Sequence, residues 1–396
     1  MKQRSLEQKT IMVVAGESSG DILAAGLISE LQQGFPNARF IGVAGENMLA
    51  LGVESVFPLD ELNVMGFIEV LPHLKRLFNK RDQLIDIVES AKVDLLVTID
   101  FQDFNASLAK KVKARFNIPC VHYVSPTVWA WRRGRIYKMA KYLDHLLALF
   151  PFEPEMYYGS GLACSFIGHP LALQMKGMSA LSLSYQNSQK NNTNSKEGEV
   201  ILALLPGSRG GLIKKLLPTM LAAYKRLRAD NKVNRLCLPI AHEEHERLIV
   251  KIATEMDITA EELLFVNHEN RFDALAKCRA ALVASGTSNL ELAMLGIPML
   301  VVYRLNFLSY YLLKPFIDVP YISPVNWVAG KNVLPELVQY ECNQEKIVEQ
   351  LSPLLNDSVQ RSHQIAELRT VRESLGETQN LDASSKAAEI VAKYLI

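Results

Sequence analysis

The sequence predicts an α/β protein built from two doubly wound, Rossmann-like domains. Three observations predict it. Short β-branched runs alternate with longer helix-forming stretches along most of the chain, the pattern of a parallel sheet with helices on both faces. The 396 residues suffice for two domains, and a hydrophobic content of 49% supports two sizeable cores. Between the alternating halves lies MSALSLSYQNSQKNNTNSKEGE, residues 178–199, rich in Ser, Asn, Gln and Lys, which reads as a linker or surface loop. The expected layout is therefore a first domain over 1–177, the linker, a second domain over 200–365 and C-terminal helices over 366–396.

The first half opens with TIMVVAG, a buried strand, followed by DILAAGLISELQQG, a helix that stops at Gly34 with Pro36 just beyond. The turn between them, AGESSGD, contains Gly16, Glu17, Ser18, Ser19 and Gly20 and matches G-x-S-x-G. Two readings compete. Ser18 is a hydrolase nucleophile on a strand-to-helix elbow, or Gly16 and Gly20 let the backbone and a helix N-terminus approach a ligand. An elbow of this kind follows other strands and an oxyanion loop, whereas this turn follows the first strand of the chain. The glycine turn is favoured.

RFIGVAG reads as the next strand. Residues 64–83 then set Val64, Met65, Phe67, Ile68, Leu71 and Leu74 beside Lys75 and Arg76. An apolar face flanked by cations suits an anionic membrane surface, and the same pattern serves an ordinary core helix. VDLLVTID is a strand ending in Asp100, with Asp103 close behind. A carboxylate at the carboxyl end of a parallel strand faces the ligand side of the sheet and can take a proton from a hydroxyl. Capping the following helix is the other role open to these residues, and it is the favoured one for Asp103. CVHYVSP carries His122 at a strand end, where it either lines the cleft or packs. VWAWRRGRIYKMAKY places Trp129 and Trp131 ahead of Arg132, Arg133, Arg135 and Lys138. Aromatics among cations stack on bases or hold phosphate on a sugar or lipid headgroup. HLLALFP and CSFIGHP complete this half.

The second half repeats the pattern with VILALLPGSRGG, RLCLPIA, LLFVNH, AALVASG and PMLVVYR, and SSKAAEIVAKYLI reads as a closing helix. Arg209, beside Gly207 and Ser208 after a strand, is either a diphosphate grip or a surface ion-pair partner. Ser285, Gly286 and Thr287 end a strand just before a helix that carries Glu291 in its first turn. Such a helix start offers N–H groups and a positive dipole end to phosphate, and Glu291 can accept ribose hydroxyls or simply balance the dipole.

Composition narrows the function classes. A net charge of +1 gives no general pull toward nucleic acid. The five cysteines are odd in number and contain no C-x-x-C, which favours reduced thiols over a disulfide framework or a zinc site. AHEEHE brings His242 near His245 without an evident third ligand, so no metal and no cofactor are expected. The apolar run near the N-terminus is too short for a signal peptide, and no apolar stretch is long enough to span a bilayer.

AGESSGD, MGFIEVL, DFQDFN, HYVSPTVWAWRRGR, FIGHP, LLPGSRG, SGTSNLE and WVAGKNVLPELVQ occur in one order along nearly the whole chain outside 178–199. In this the chain resembles the lipid-A-disaccharide synthases, glycosyltransferase family 19. The resemblance implies a GT-B fold, two Rossmann-like domains facing a cleft with a C-terminal helix returning to the first. It implies inverting transfer of 2,3-diacylglucosamine from UDP-diacylglucosamine to lipid X, the 1-phosphate acceptor. It also implies work at the cytoplasmic face of the inner membrane of Gram-negative bacteria, against surface lipids, in a homodimer. By the resemblance Asp100 is the candidate base; Ser208, Arg209, Ser285, Gly286, Thr287, Glu291, Tyr303, Arg304 and Asn326 stand on the UDP-sugar side. Gly16, Glu17, Ser18, Ser19, His122, Trp129 and Arg132 stand on the acceptor side, and residues 64–81 with FLSYYLLKPF reach toward acyl chains. Three departures stand out: Leu212 where the family has Glu after GSR-x-x, Phe101 and Gln102 where it has a small residue and Pro, and a long linker. They bear on acyl-chain preference and rate.

Overall fold

The computed structural model describes residues 8–62, 74–129, 134–191, 200–240, 243–267, 269–304, 319–377 and 382–396. The chain divides into two compact units, Met1–Pro170 with Leu381–Ile396, and Leu171–Asn380.

Unit 1 holds a seven-stranded sheet in the order β3-β2-β1-β4-β5-β6-β7. Its strands are β1 (Thr10–Ala15), β2 (Arg39–Val43), β3 (Glu54–Ser55), β4 (Leu95–Ile99), β5 (Cys120–Tyr123), β6 (His145–Ala148) and β7 (Ala163–Phe166). Every pair is parallel. β1 and β4 are buried along their whole length, which is why they read as continuous apolar runs: helices cover both faces of the sheet. The helices are α1 (Ser18–Gly34), α2 (Glu46–Ala50), α3 (Leu74–Ser90), α4 (Gln102–Phe116), α5 (Arg135–Met139) and α6 (Glu153–Tyr157). One face of the sheet packs with α3 and α4 around Leu84, Val88, Leu108 and Val112. The other packs with α1 and the last helix of the chain around Leu27, Ile28, Ala387 and Val391.

Unit 2 begins inside α7 (Pro170–Gln174) and continues with α8 (Met178–Asn191). The sequence reading made 178–199 a linker or loop, but its first fourteen residues are helical. α8 packs against the helices after the fourth and third strands of this unit, and Lys277 lies 5.6 Å from the ring of Tyr185. A stretch that is polar in composition thus still packs, with Ser182 buried. The six-stranded sheet runs β10-β9-β8-β11-β12-β13. Its strands are β8 (Ile201–Leu205), β9 (Arg235–Ile240), β10 (Leu263–Asn267), β11 (Ala280–Ala284), β12 (Met299–Tyr303) and β13 (Glu336–Val338). Its helices are α9 (Gly210–Ala229), α10 (Glu243–Glu255), α11 (Arg271–Ala276), α12 (Ser288–Leu295), α13 (Pro324–Ala329), α14 (Gln344–Leu355) and α15 (Val359–Leu375). α15 belongs here rather than to a separate tail: Gln364 accepts a bond from Met299 N at 2.7 Å, and Arg372 donates to Ala293 O at 3.4 Å. Only α16 (Ala383–Ala392) goes back to unit 1, where Tyr394 Oη lies 3.0 Å from His145 Nδ1.

The two sheets share one strand order, 3-2-1-4 onward when each is counted from its own first strand. The order reverses between β1 and β4 in unit 1 and between β8 and β11 in unit 2. Ligands of doubly wound sheets bind at the carboxyl ends of strands at this reversal. In unit 1 that edge carries Gly16 and Asp100; in unit 2 it carries Pro206–Arg209 and Ser285–Thr287.

Candidate functional site

In unit 1, Ala15 is level with Ile99 across the β1–β4 pair, so Gly16 and Asp100 leave the sheet side by side. The backbone there is left-handed, with φ 48° at Asp100, 44° at Phe101 and 77° at Val124 after β5. Such conformations cost about 1–3 kcal/mol at non-glycine residues and persist only where their surroundings enforce them. Here the enforcement is visible. Asp100 N donates to Tyr123 O at 2.9 Å, and Val124 N donates to Leu147 O at 3.0 Å. Asn105, in the first turn of α4, donates to the carbonyls of Ile99 at 3.2 Å and Asp100 at 2.8 Å. Gln102 donates to Val124 O at 3.2 Å. Phe101 bends back over Gly16, where a Cβ would lie 2.2 Å from the Phe101 Cβ. Only glycine fits at position 16.

Burial raises the Asp100 carboxyl above its ordinary range, while bonds from the Phe101 N–H and the Gln102 side chain hold it down. Glu17 is raised as well, first by burial and then by the negative charge of Asp100. The two carboxylates therefore sense each other beside the start of α1. Ser18 and Ser19 are exposed in the first turn of that helix, after an extended Glu17 at the N-cap. Ser18 has helical backbone, not the strained turn of a nucleophile elbow. Asp21 points away and builds the fold: its carboxylate accepts from Gly45 N at 2.8 Å and Asn47 N at 2.9 Å.

Other acceptor-side expectations land elsewhere. His122 is 3% exposed, and its Nδ1 lies 2.7 Å from Thr98 Oγ1. Burial pushes it down to about 4, so it stays neutral at ordinary pH. It lines a small pocket of about 10 Å³ with Gln102 and Asn105. Trp129 is 9% exposed and packs edge-on to Phe150 and Phe152, at 6.4 and 5.8 Å between ring centres. It is a core ring, because the aromatics after β6 close over it. Arg132, together with Val64, Met65, Phe67, Ile68, Leu71 and 307–316, lies outside the described residues. Leu74 is half-buried at the start of α3, and Lys75 and Arg76 are exposed. The rest of α3 buries Leu77, Leu84, Ile85 and Val88 as a core helix. Among the described residues no helix is long and apolar enough to cross a membrane.

Unit 2 holds a cavity of about 530 Å³ at its own switch point. Ser208, Arg209, Ser285, Gly286, Thr287, Glu291 and Tyr303, which the resemblance sets on the UDP-sugar side, all line it. The starts of α9 and α12 converge on this space, so two sets of unpaired helix N–H groups and two positive dipole ends face one volume. Arg209 is the exposed N-cap of α9. Gly207 has φ 105°, and a Cβ there would lie 2.6 Å from Leu212 Cδ2, so the leucine that departs from the family pattern packs directly against the glycine turn. The Ser285 hydroxyl donates to Ile322 O at 2.6 Å and its N–H to Val302 O at 3.1 Å, so both donors are engaged in the fold. Asn289 donates to Ala284 O at 3.1 Å, the same grip on a strand end that Asn105 applies in unit 1. The far wall is apolar, with Leu238, Pro239, Ile240 and Ile249. Pro239 is tolerated inside β9 because the pairing with β8 ends at Cys237, so its missing N–H breaks no bond on that side.

Two expected ligand residues do not line this cavity. Asn326 is fully buried and wholly engaged. Its Nδ2 donates to Leu334 O at 2.9 Å and to Glu336 Oε1 at 2.8 Å, and its Oδ1 accepts from Val333 N and Leu334 N. It shapes the 332–336 turn. Arg304 donates to Thr219 Oγ1 at 3.1 Å and to the carbonyls of Gln339 and Cys342, so it ties β12 to the loop after β13. Sequence reasoning in turn missed Arg271, which lines the cavity and pairs with Glu291 at 3.0 Å. No spacing rule points to it, because the two residues come from helices after different strands.

The sequence model of the lipid-A-disaccharide synthetase family matches residues 11–391. The chain is 38% identical over 386 residues to the lipid-A-disaccharide synthase of Pseudomonas aeruginosa, covering 97% of this chain and 98% of that one. It is 36% identical over 397 residues to that of Colwellia psychrerythraea, covering 99% and 96%. Among solved structures, the glycotransferase of kitacinnamycin superposes with a TM-score of 0.60 at 14% identity, covering 98% of this chain and 99% of that one. Acinetobacter baumannii MurG gives 0.56 at 14% identity, covering 98% and 100%. These likenesses show the fold, a GT-B arrangement of two Rossmann-like domains.

Proposed function

The chain belongs to the lipid-A-disaccharide synthase family, a glycosyltransferase family of lipid A biosynthesis, and from that premise we propose its reaction and the residues that carry it. UDP-2,3-diacylglucosamine is the donor and 2,3-diacylglucosamine 1-phosphate, lipid X, is the acceptor. The products are UDP and the β-1,6-linked disaccharide 1-phosphate. The single observation that carries the reading is the unit 2 cavity: Arg209, two helix N-termini and Glu291 line one volume, the equipment for a nucleoside diphosphate.

Asp100 takes the proton from the acceptor 6-hydroxyl. That oxygen attacks the anomeric carbon from the face opposite the leaving group, and the bond to the UDP oxygen breaks with its electrons. An α-linked donor thereby gives a β product. The charge that grows on the departing diphosphate is met by Arg209 and by the N–H of Thr287 at the start of α12. Glu17, beside Asp100, stands where the acceptor sugar enters. Work at the cytoplasmic face of the inner membrane rests on Lys75 and Arg76, exposed at the start of α3, and on the apolar sequence 64–71 just before them.

The test is disaccharide formation from the two lipids in detergent, for wild type and Asp100→Asn. Loss of a general base costs about 10²- to 10⁴-fold in rate. UDP binding should persist in the variant, because Asp100 belongs to the other unit. Full activity of Asp100→Asn would remove Asp100 from the chemistry. UDP binding by the wild type without product would refute the proposed substrates.

A further inference from the structure

Glu291 and Arg271 reach the same cavity from different strands. Arg271 is the first residue of α11, after β10, and Glu291 lies in the first turn of α12, after β11. Arg271 Nη2 donates to Glu291 Oε1 at 3.0 Å, with only 15% and 16% of the two side chains exposed. The guanidinium also lies 4.0 Å from the centre of the Phe272 ring, which fixes its plane. A charge-assisted bond of this kind, partly shielded from water, holds a carboxylate in one orientation. A Glu on a helix start otherwise samples several rotamers, and ordering it on binding costs part of the affinity gained. One guanidinium bond on Oε1 does not exhaust the carboxylate, which has about four acceptor sites. The remaining sites suit two adjacent hydroxyls.

We propose that Arg271 is a positioning residue that fixes the Glu291 carboxylate for the 2′,3′-diol of the donor's ribose. The proposal rests on the reading of unit 2 as the UDP-sugar site. Arg271 acts through Glu291, so its removal should weaken recognition of the diol and leave the grip on the diphosphate intact.

The experiment is calorimetric titration of the full chain with UDP and with 2′,3′-dideoxy-UDP, for wild type, Arg271→Lys, Arg271→Met and Glu291→Gln. Wild type should prefer UDP by about ten-fold or more, the worth of a hydrogen bond to a charged group. Arg271→Met should bring that preference close to one while binding of the dideoxy compound stays within about two-fold, and Arg271→Lys should restore part of it. In turnover the donor KM should rise with kcat largely kept. Equal loss of both ligands in Arg271→Met would overturn the proposal, since the arginine would then hold phosphate or base, or support the fold. An unchanged preference in Glu291→Gln would overturn it too, by removing Glu291 from the diol. A wild type that binds neither ligand would instead refute the reading of unit 2 itself, and the proposal with it.

Discussion

At the scale of single residues, the Asp100 turn trades backbone comfort for position. Gly16 is glycine because Phe101 occupies the space of a side chain. Gly16→Ala should therefore cost about 1–3 kcal/mol, read as a lower thermal midpoint, with a fall in rate as the turn shifts. An unchanged melting curve would mean that the backbone at Phe101 yields freely. Gln102 has two tasks, a bond to Val124 O and a bond that favours the ionised Asp100. A general base works only when deprotonated, so the rate climbs with pH through its pKa and then levels. Gln102→Leu removes a stabiliser of the charged form, and the acidic limb of kcat/KM should move to higher pH. A limb that stays in place or moves down would dissociate Gln102 from the base. Much of this site was legible in the sequence, because a carboxylate at a strand end and a glycine turn before a helix are marked by position along the chain. His122, Trp129, Arg304 and Asn326 were not. Their positions say that they stand near strand ends, and only the packing says which way each side chain turns.

At the scale of elements, the eleven longer strands were legible from their apolar runs. β3 and β13, of two and three residues, are too short to show any period, and they exist because a neighbouring strand offers an edge. α8 was hidden by its composition. A third feature had no signal at all, the buried network that braces the segment after β5 against α6. Glu153 is 2% exposed and accepts from Phe150 N at 3.0 Å, and the Ser125 and Trp129 side chains beside it favour its charged form. Ser125 Oγ lies 2.9 Å from Tyr157 Oη. Burial raises Glu153 to about 7 despite these neighbours. Between the ordinary carboxylate range and 7 the folded chain holds a proton that the unfolded chain releases. Ionised Glu153 is therefore a liability above pH 7 that fades as pH falls. Gln imitates the protonated form, so the midpoint of Glu153→Gln relative to wild type should be more favourable at pH 8 than at pH 5. His122 and His169, both pushed down to about 4 by burial, act in the opposite sense. Their contribution is complete above 6.5 and is lost as pH falls toward 4, but it is common to both proteins and cancels in the difference. A difference that does not vary with pH would show that Glu153 does not titrate in this range.

At the scale of the whole molecule, the chain's path ties its last residues to its first fold. It leaves unit 1 after Pro170, builds all of unit 2 and re-enters unit 1 at Leu381. α16 is short, yet Ala383, Ala387, Ala388, Ile390 and Val391 are buried there together with Leu395, against Leu27 and Ile28 of α1. Burying a large aliphatic side chain is worth about 1.5–3 kcal/mol, so Ile390, Val391 and Leu395 together approach the whole stability of an ordinary domain, about 5–15 kcal/mol. The alanines matter in another way, since they let α16 lie close on α1. Gly26 serves the same approach: a Cβ there would come 2.3 Å from Ser384 Oγ. A chain ended after residue 381 should therefore lose the fold of unit 1, although it keeps every residue of that sheet. Unit 2 has its own core around Leu216, Leu221, Leu282 and Leu351 and should survive. Limited proteolysis of the shortened chain should leave a protected fragment spanning most of 171–377 that still binds UDP, while the first 170 residues are degraded. Equal protection of both halves would mean that unit 1 is complete without α16, and that its buried face can close on itself.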